Sequence, residues 1–191
     1  MVELTTPRLR LRHWRDADRQ PFASLNADPE VMRYFPAPLA ASDSDRFLDR
    51  MTAASTEHGF GLWALELRAT GEFIGMTGLA HHSFPAHFNP SWEVGWRLAR
   101  SAWGSGYATE AARAALRFGF IEAGLDEVVS MTSVLNLPSR RVMRRIGLHR
   151  DPADDFEHPR VPEGSPLKPH VLYRLTRDEW AAGAAGAAGA A

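Results

Sequence analysis

Residues 91–123 constrain this chain more than any other stretch. Ser91 to Leu98 alternates, with Trp92, Val94, Trp96 and Leu98 on one face and Glu93, Gly95 and Arg97 on the other, which is the period of a β-strand. A bend at Gly104-Ser105-Gly106 follows, then a helix from about Tyr107 to Ala123, stopped at Gly124. A strand running through a glycine bend into a helix is a unit of α/β architecture. The glycines let the backbone turn tightly and approach a ligand with no Cβ in the way. The helix start offers unpaired N–H groups and a positive dipole end, which together suit a phosphate or diphosphate. A Gly-x-Gly pair is equally the turn of an ordinary strand-to-helix connection. A dinucleotide fingerprint would need glycine at Thr109, and no Gly-Lys-Ser/Thr of a Walker loop is present.

Composition narrows what such a unit serves. The 191 residues fit one domain, and a hydrophobic share of 45% supports a packed core. With 22 basic and 23 acidic residues, bulk positive charge for nucleic acid is lacking, so no nucleic-acid partner is expected. The absence of cysteine excludes disulfides, thiolate metal ligands and a thiol nucleophile. Any thioester chemistry therefore takes its thiol from a cosubstrate. No segment reads as a signal peptide or approaches the roughly 20 apolar residues of a spanning helix, so a cytoplasmic protein with no membrane partner is expected. The histidine spacings lack an HExxH pattern, and no metal is expected.

Period and punctuation predict the other elements. Alternation over 8–14 reads as a strand, followed by a helix over 16–25 capped by Asp16. Asp28-Pro29-Glu30 reads as a helix start, with Pro36 and Pro38 ending that helix near Phe35. A helix from Ser42, with Asp45 in capping-box position, ends at Gly59. Strands over 61–68 and 72–80 turn at 69–71; residues 81–91 read as a loop. A strand over 128–134, a helix over 136–146, a loop over 151–169 and a strand over 170–176 complete an α/β domain with a mixed sheet, and Thr176 with Glu179 caps a final helix. The domain spans 6–176. The Ala/Gly tail, residues 181–191, is expected to fray.

Trp103-Gly104-Ser105-Gly106-Tyr107-Ala108-Thr109-Glu110-Ala111 closely resembles the acetyl-CoA motif of the GNAT superfamily, in its RimJ/RimL-like branch. Gly119-Phe120, Gly124-Leu125, Asn136, Ser139 and Gly147-Leu148 fall at positions that branch uses. Thr6-Pro7-Arg8-Leu9-Arg10-Leu11-Arg12, Pro29-Glu30-Val31 and Glu93-Val94-Gly95-Trp96 resemble its opening strand, second helix and fourth strand. Trp103 stands where the superfamily often has Gln or Arg, and Leu148 stands where it has Phe.

The resemblance implies a mixed, mostly antiparallel sheet of six to seven strands flanked by helices, splayed between the strands at 92–98 and 128–134. It implies acetyl transfer from acetyl-CoA to an amine, on a small molecule or a peptide N-terminus, by a monomer or homodimer. Main-chain amides of Trp103, Gly104, Ser105, Gly106, Tyr107, Ala108 and Thr109 would hold the diphosphate. Val94, Trp96 and Leu98 on the splayed strand, with Asn136 and Ser139, would meet the pantetheine arm, and strand amides would hold the thioester oxygen. Glu93 is the first candidate for general base. Its alternative reading is a surface carboxylate paired with Arg97, and His81 or His82 is an alternative base. Many members place the tyrosine acid seven residues after the asparagine; that position is Met143, which has no proton to give, so Ser139 is the candidate. Arg144, among Arg140, Arg141 and Arg145, is a candidate for the 3′-phosphate. His81, His82, His158, His170 and Tyr173 are candidates for the acceptor pocket, with His170 and Tyr173 on opposite faces of their strand. Two rival readings remain: a CoA-binding module without turnover, and nucleotide binding at the glycine bend.

Overall fold

The computed structural model describes residues 2–188. The chain divides into two units, Met1–Ala80 with Gly95–Ala115, and His81–Val94 with Leu116–Ala191.

In the first unit, β2 (Leu9–Arg12) pairs antiparallel with β1 (Leu4–Thr5) and β3 (Leu62–Leu67), Leu9 facing Leu67 and Leu11 facing Leu65. Next come α1 (Arg19–Ala27), α2 (Ala41–His58), β4 (Phe73–His82), the later part of β5 (Ser91–Leu98) and the start of α3 (Tyr107–Ile121). The apolar stripe predicted on α2 buries Leu48 and Met51 against Phe22, Leu25, Val31 and Met76, with Trp14, Phe47 and Phe73 packed around them. Gly59 ends α2 in the left-handed region, φ 78°. Gly75 is fixed by close approach: a Cβ there would lie 2.2 Å from the Arg97 carbonyl oxygen.

Alternation mislaid Arg12. It is 2% exposed, with a bidentate contact to Asp18 at 2.7 and 2.8 Å and a bond from Nε to Glu66 at 2.6 Å. Two carboxylates so placed let a guanidinium leave water.

The second unit holds the start of β5, then β6 (Glu127–Ser133), α4 (Leu137–Arg145), β7 (Phe156–Glu157), β8 (Pro169–Thr176) and α5 (Arg177–Ala188). β6 runs antiparallel to β8 from Glu127↔Thr176 to Ser133↔His170, and β7 adds Phe156↔His170. β5 and β6 are parallel, which requires a crossover, here containing α3. Phe84, Phe88, Val129 and Leu172 form the core of this unit, with Met131 and Phe156 against them. The capping box is present: Thr176 N and Oγ1 both donate to Glu179 Oε2, at 2.9 and 2.8 Å, and Glu179 N donates to Thr176 Oγ1 at 3.3 Å.

The strands are hydrogen-bonded in the order β1-β2-β3-β4-β5-β6-β8-β7, an open, mostly antiparallel α/β sheet. The eight strands among the described residues exceed the expected six to seven because β1 and β7 are two-residue pieces too short to carry a period. Four local expectations are corrected. Residues 28–35 form turns and no helix. Asp28 Oδ1 accepts from Glu30 N at 2.8 Å and Asp28 O accepts from Met32 N at 3.0 Å, so the start forms a single turn, and Pro36 and Pro38 supply no N–H to extend it. Asp16 begins a short 3-10 turn and does not cap α1; instead Asp18 accepts from Arg15 N at 2.8 Å. β4 continues to His82, so His81 and His82 lie on a strand. The tail expected to fray is helical to Ala188, alanine's helix preference outweighing the glycines there; residues 189–191 lie outside the described residues.

Candidate active site

The glycine bend is built in the first unit. Gly104 and Gly106 take φ of 76° and 80°, a region that favours glycine. The α3 ladder begins with Glu110 N donating to Gly106 O at 3.0 Å. Among the described residues, no protein acceptor meets the N–H groups of Gly104, Ser105, Gly106, Tyr107, Ala108 or Thr109. Gly104, Ser105 and Gly106 are exposed and residues 107–109 partly so, which leaves donors of the kind that suit an anion within reach of solvent.

The turn after β1 clamps the bend. Glu110 accepts from Thr6 Oγ1 at 2.6 Å, from Arg8 N at 2.9 Å and from Arg8 Nε at 2.6 Å. Burial works against this carboxylate's charge, but these bonds and the Arg8 charge outweigh it and hold its pKa below the ordinary value. Arg8 also donates to Ser105 O at 2.9 Å and lies 4.7 Å from the Tyr107 ring. The clamp joins residues about a hundred positions apart, so no local period announces it. Trp103 Nε1 donates to Leu98 O at 2.9 Å and its main-chain N–H donates to Arg100 O at 3.1 Å, so neither the side chain nor the amide expected at the diphosphate is left for it.

The titratable cluster is built in the second unit. Glu93 and His82 meet at 2.7 Å, Oε2 to Nε2. Glu93 Oε1 accepts from the N–H of Met131 at 3.3 Å. Both carboxylate oxygens are therefore engaged, and His82 rather than Arg97 is the partner. Burial disfavours the charged form of His82, but the hydrogen bond and charge of Glu93 outweigh it and raise its pKa above the ordinary value. His158 lies 4.8 Å from His170 and 5.1 Å from Phe84 between ring centroids. Burial, with the charges of His170 and Arg160, pushes His158 down to about 4, and burial lowers His170. At neutral pH His158 is an uncharged imidazole, and its Nδ1 accepts from Arg160 N at 3.2 Å.

Main-chain pairing of β5 with β6 covers Glu93↔Val129 alone. Beyond it a side chain takes over, Ser130 Oγ donating to Val94 O at 2.8 Å. Asn136 caps α4, accepting from Ser139 N at 3.2 Å, and its Nδ2 donates to Thr132 Oγ1 at 2.9 Å, so both ends of its amide are used internally. The half-buried Ser139 hydroxyl has no hydrogen-bond partner among the described residues. Arg144 is exposed, and Met143 is buried in the core at 1% exposure, consistent with a position that carries no acid.

The acceptor candidates separate. His82 joins Glu93 and packs at 5.7 Å on Phe84. His81 is exposed, 5.2 Å from the Trp92 ring. Tyr173, at 4% exposure, is core and offers a solute almost no surface. Phe84, Phe88 and Phe156, which wall the histidines, were hidden in stretches whose proline and glycine content reads as loop. Among the described residues, no group of three or more His, Asp or Glu side chains could hold a metal ion, and no helix is long and apolar enough to cross a membrane.

A family model for the acetyltransferase (GNAT) domain matches residues 8–149, and the chain belongs to that family. It is an N-acetyltransferase that moves an acetyl group from acetyl-CoA to an amine. The chain is 35% identical over 190 residues to the FsC-acetyl coenzyme A-N(2)-transacetylase of Aspergillus fumigatus, covering 93% of this chain and 77% of that protein. The crystal structure of an acetyltransferase from Agrobacterium tumefaciens superposes with a TM-score of 0.75 at 30% identity, over 92% of this chain and 94% of that one. RimL, the ribosomal L7/L12 alpha-N-protein acetyltransferase in complex with coenzyme A, shares the fold at TM-score 0.74 and 13% identity, over 93% of this chain and 99% of that one.

Proposed function

We propose that the bend at 104–109 holds the diphosphate of acetyl-CoA, and that the His82–Glu93 pair takes the proton from the attacking amine. The observation that carries this reading is the run of unpaired N–H groups, fixed in place by the Arg8–Glu110 clamp. A hydrogen bond to a charged acceptor contributes about 1.5–3 kcal/mol, so even two or three such donors supply substantial affinity. Bound acetyl-CoA supplies the thioester; the protein supplies position and protons.

An ammonium cannot attack a thioester. His82 in its neutral form accepts the amine proton, directly or through one water. Glu93, held by Met131 N–H, orients the imidazole and stabilises the imidazolium. The Ser139 hydroxyl, at the start of α4, is the proton source for the departing thiolate. The acceptor is a primary amine, on a peptide N-terminus or a small molecule. The likeness to the RimJ/RimL branch supports the first, and the N(2) acceptor in the Aspergillus relative's name supports an amine nitrogen more generally. Arg144 remains the candidate for the 3′-phosphate.

Free CoA thiol, followed with DTNB over a panel of amines and peptides, tests the reading: release should depend on an acceptor. Tight acetyl-CoA binding without acceptor-dependent release across the panel would contradict it. Ser139→Ala should lower kcat about tenfold to hundredfold with acetyl-CoA affinity unchanged. Lost affinity at unchanged kcat would make Ser139 a binding residue only.

A further inference from the structure

Two arginines of the first unit are withdrawn from water, and they are treated differently. Arg12 is matched by Asp18 and Glu66. Arg97, 9% exposed on β5, has no carboxylate among its ion-pair or hydrogen-bond partners in the described residues. Its Nη1 donates to Asn26 Oδ1 at 2.5 Å, and its Nε is buried with no partner. The guanidinium lies 4.2 Å from the Phe35 ring and 5.4 Å from the Phe47 ring. Ring faces attract a cation but accept no N–H in the manner of a carboxylate. With Nη1 taken, the edge that remains is Nε with Nη2, the fork that fits a carboxylate side-on.

An unpaired buried charge is costly and persists where something else compensates it. Burial with no opposing charge pulls this guanidinium down to about 10. Phe35, one of the rings against it, is 37% exposed and stands in the turn segment between α1 and α2. Asn26 is itself held, its Nδ2 donating to Ser44 Oγ at 2.9 Å, so the guanidinium is fixed from one side while its buried Nε keeps no partner among the described residues.

We propose that Arg97 is an anion-binding residue whose unpartnered Nε edge receives a carboxylate of the acceptor, so that the preferred substrate is an amine that also carries a carboxylate. This rests on the transferase reading. The phosphates of the cosubstrate are assigned elsewhere by that reading, to the bend at 104–109 and to Arg144, which leaves the acceptor as the source of the anion.

The test uses pairs of acceptors differing in one carboxylate: dipeptides against their C-terminal amides, and ω-amino acids against their amides. With the wild-type protein, thiol release should favour the carboxylate member about 30-fold in kcat/KM, expressed in KM. Arg97→Met should abolish that preference, leaving the amide members within about threefold and acetyl-CoA affinity unchanged. Arg97→Lys, which keeps the charge and loses the fork, should retain part of the preference. If Arg97→Met does not fold, the wild-type comparison and the Lys variant still decide. Equal use of both members by the wild type overturns the proposal, as does an equal loss on both in Arg97→Met, the mark of a purely structural arginine. Weakened acetyl-CoA binding in Arg97→Met overturns it in favour of a phosphate contact. Absence of thiol release with every amine contradicts the transferase reading instead. The anion site is then read from melting temperature, which dipeptide should raise above its amide in the wild type and not in Arg97→Met.

Discussion

Gly106→Glu is expected to abolish measurable acetyl-CoA binding, a loss of at least a hundredfold in affinity and so of about 2.7 kcal/mol. Three effects act together. Gly106 sits at φ 80°, and a side-chain-bearing residue there carries backbone strain of about 1–3 kcal/mol. A Cβ at this position would lie 3.5 Å from Arg8 Nη2, so the new carboxylate competes with Glu110 for the clamp. A negative charge also enters the space meant for a diphosphate. Gly106→Ala separates the terms, bringing strain without charge, and should bind more tightly than Gly106→Glu. Calorimetry on folded protein checks both; wild-type affinity in Gly106→Glu would remove the bend from the binding site.

Glu93→Gln is expected to lower kcat about a hundredfold and to move the pH profile in a stated direction. In the wild type, His82 works when neutral, and Glu93 holds its pKa above the ordinary 6.5, so activity rises with pH through a point above that value. The substitution removes the charge that raises the pKa and leaves the burial that lowers it. The acidic limb of kcat/KM therefore moves to lower pH even as the plateau falls. His82→Gln should remove that limb. A Glu93→Gln profile superimposable on the wild type, at undiminished rate, would clear the pair of base duty.

What the sequence made legible was governed by short-range physics. The strand at Ser91 to Leu98, the glycines at 104 and 106, the Gly59 and Gly124 stops and the Thr176–Glu179 box each depend on neighbours within a few residues, and each appears in the structure. What stayed hidden depends on distant partners. Arg12 and Arg97 occupy strand positions of the same polar type as exposed ones, and only Asp18, Glu66 and Asn26 reveal that they are buried. The meeting of His82 with Glu93 required β4 to run two residues past its predicted end, which pairing across a sheet decides and local propensity does not. The helix expected at 28–35 stops at a single turn, since Pro36 and Pro38 supply no N–H to carry it on. Tyr173 alternated correctly on its strand, yet the face it shares is core.

The central claim is that six main-chain donors, in the bend and the first turn of α3, exchange water for phosphate oxygen. Amide hydrogen exchange, resolved by residue with and without coenzyme A, measures that exchange of partners. The account predicts fast exchange at 104–109 in the free protein and marked slowing when the coenzyme is added. Coenzyme bound with those amides still exchanging at their free rate would contradict it.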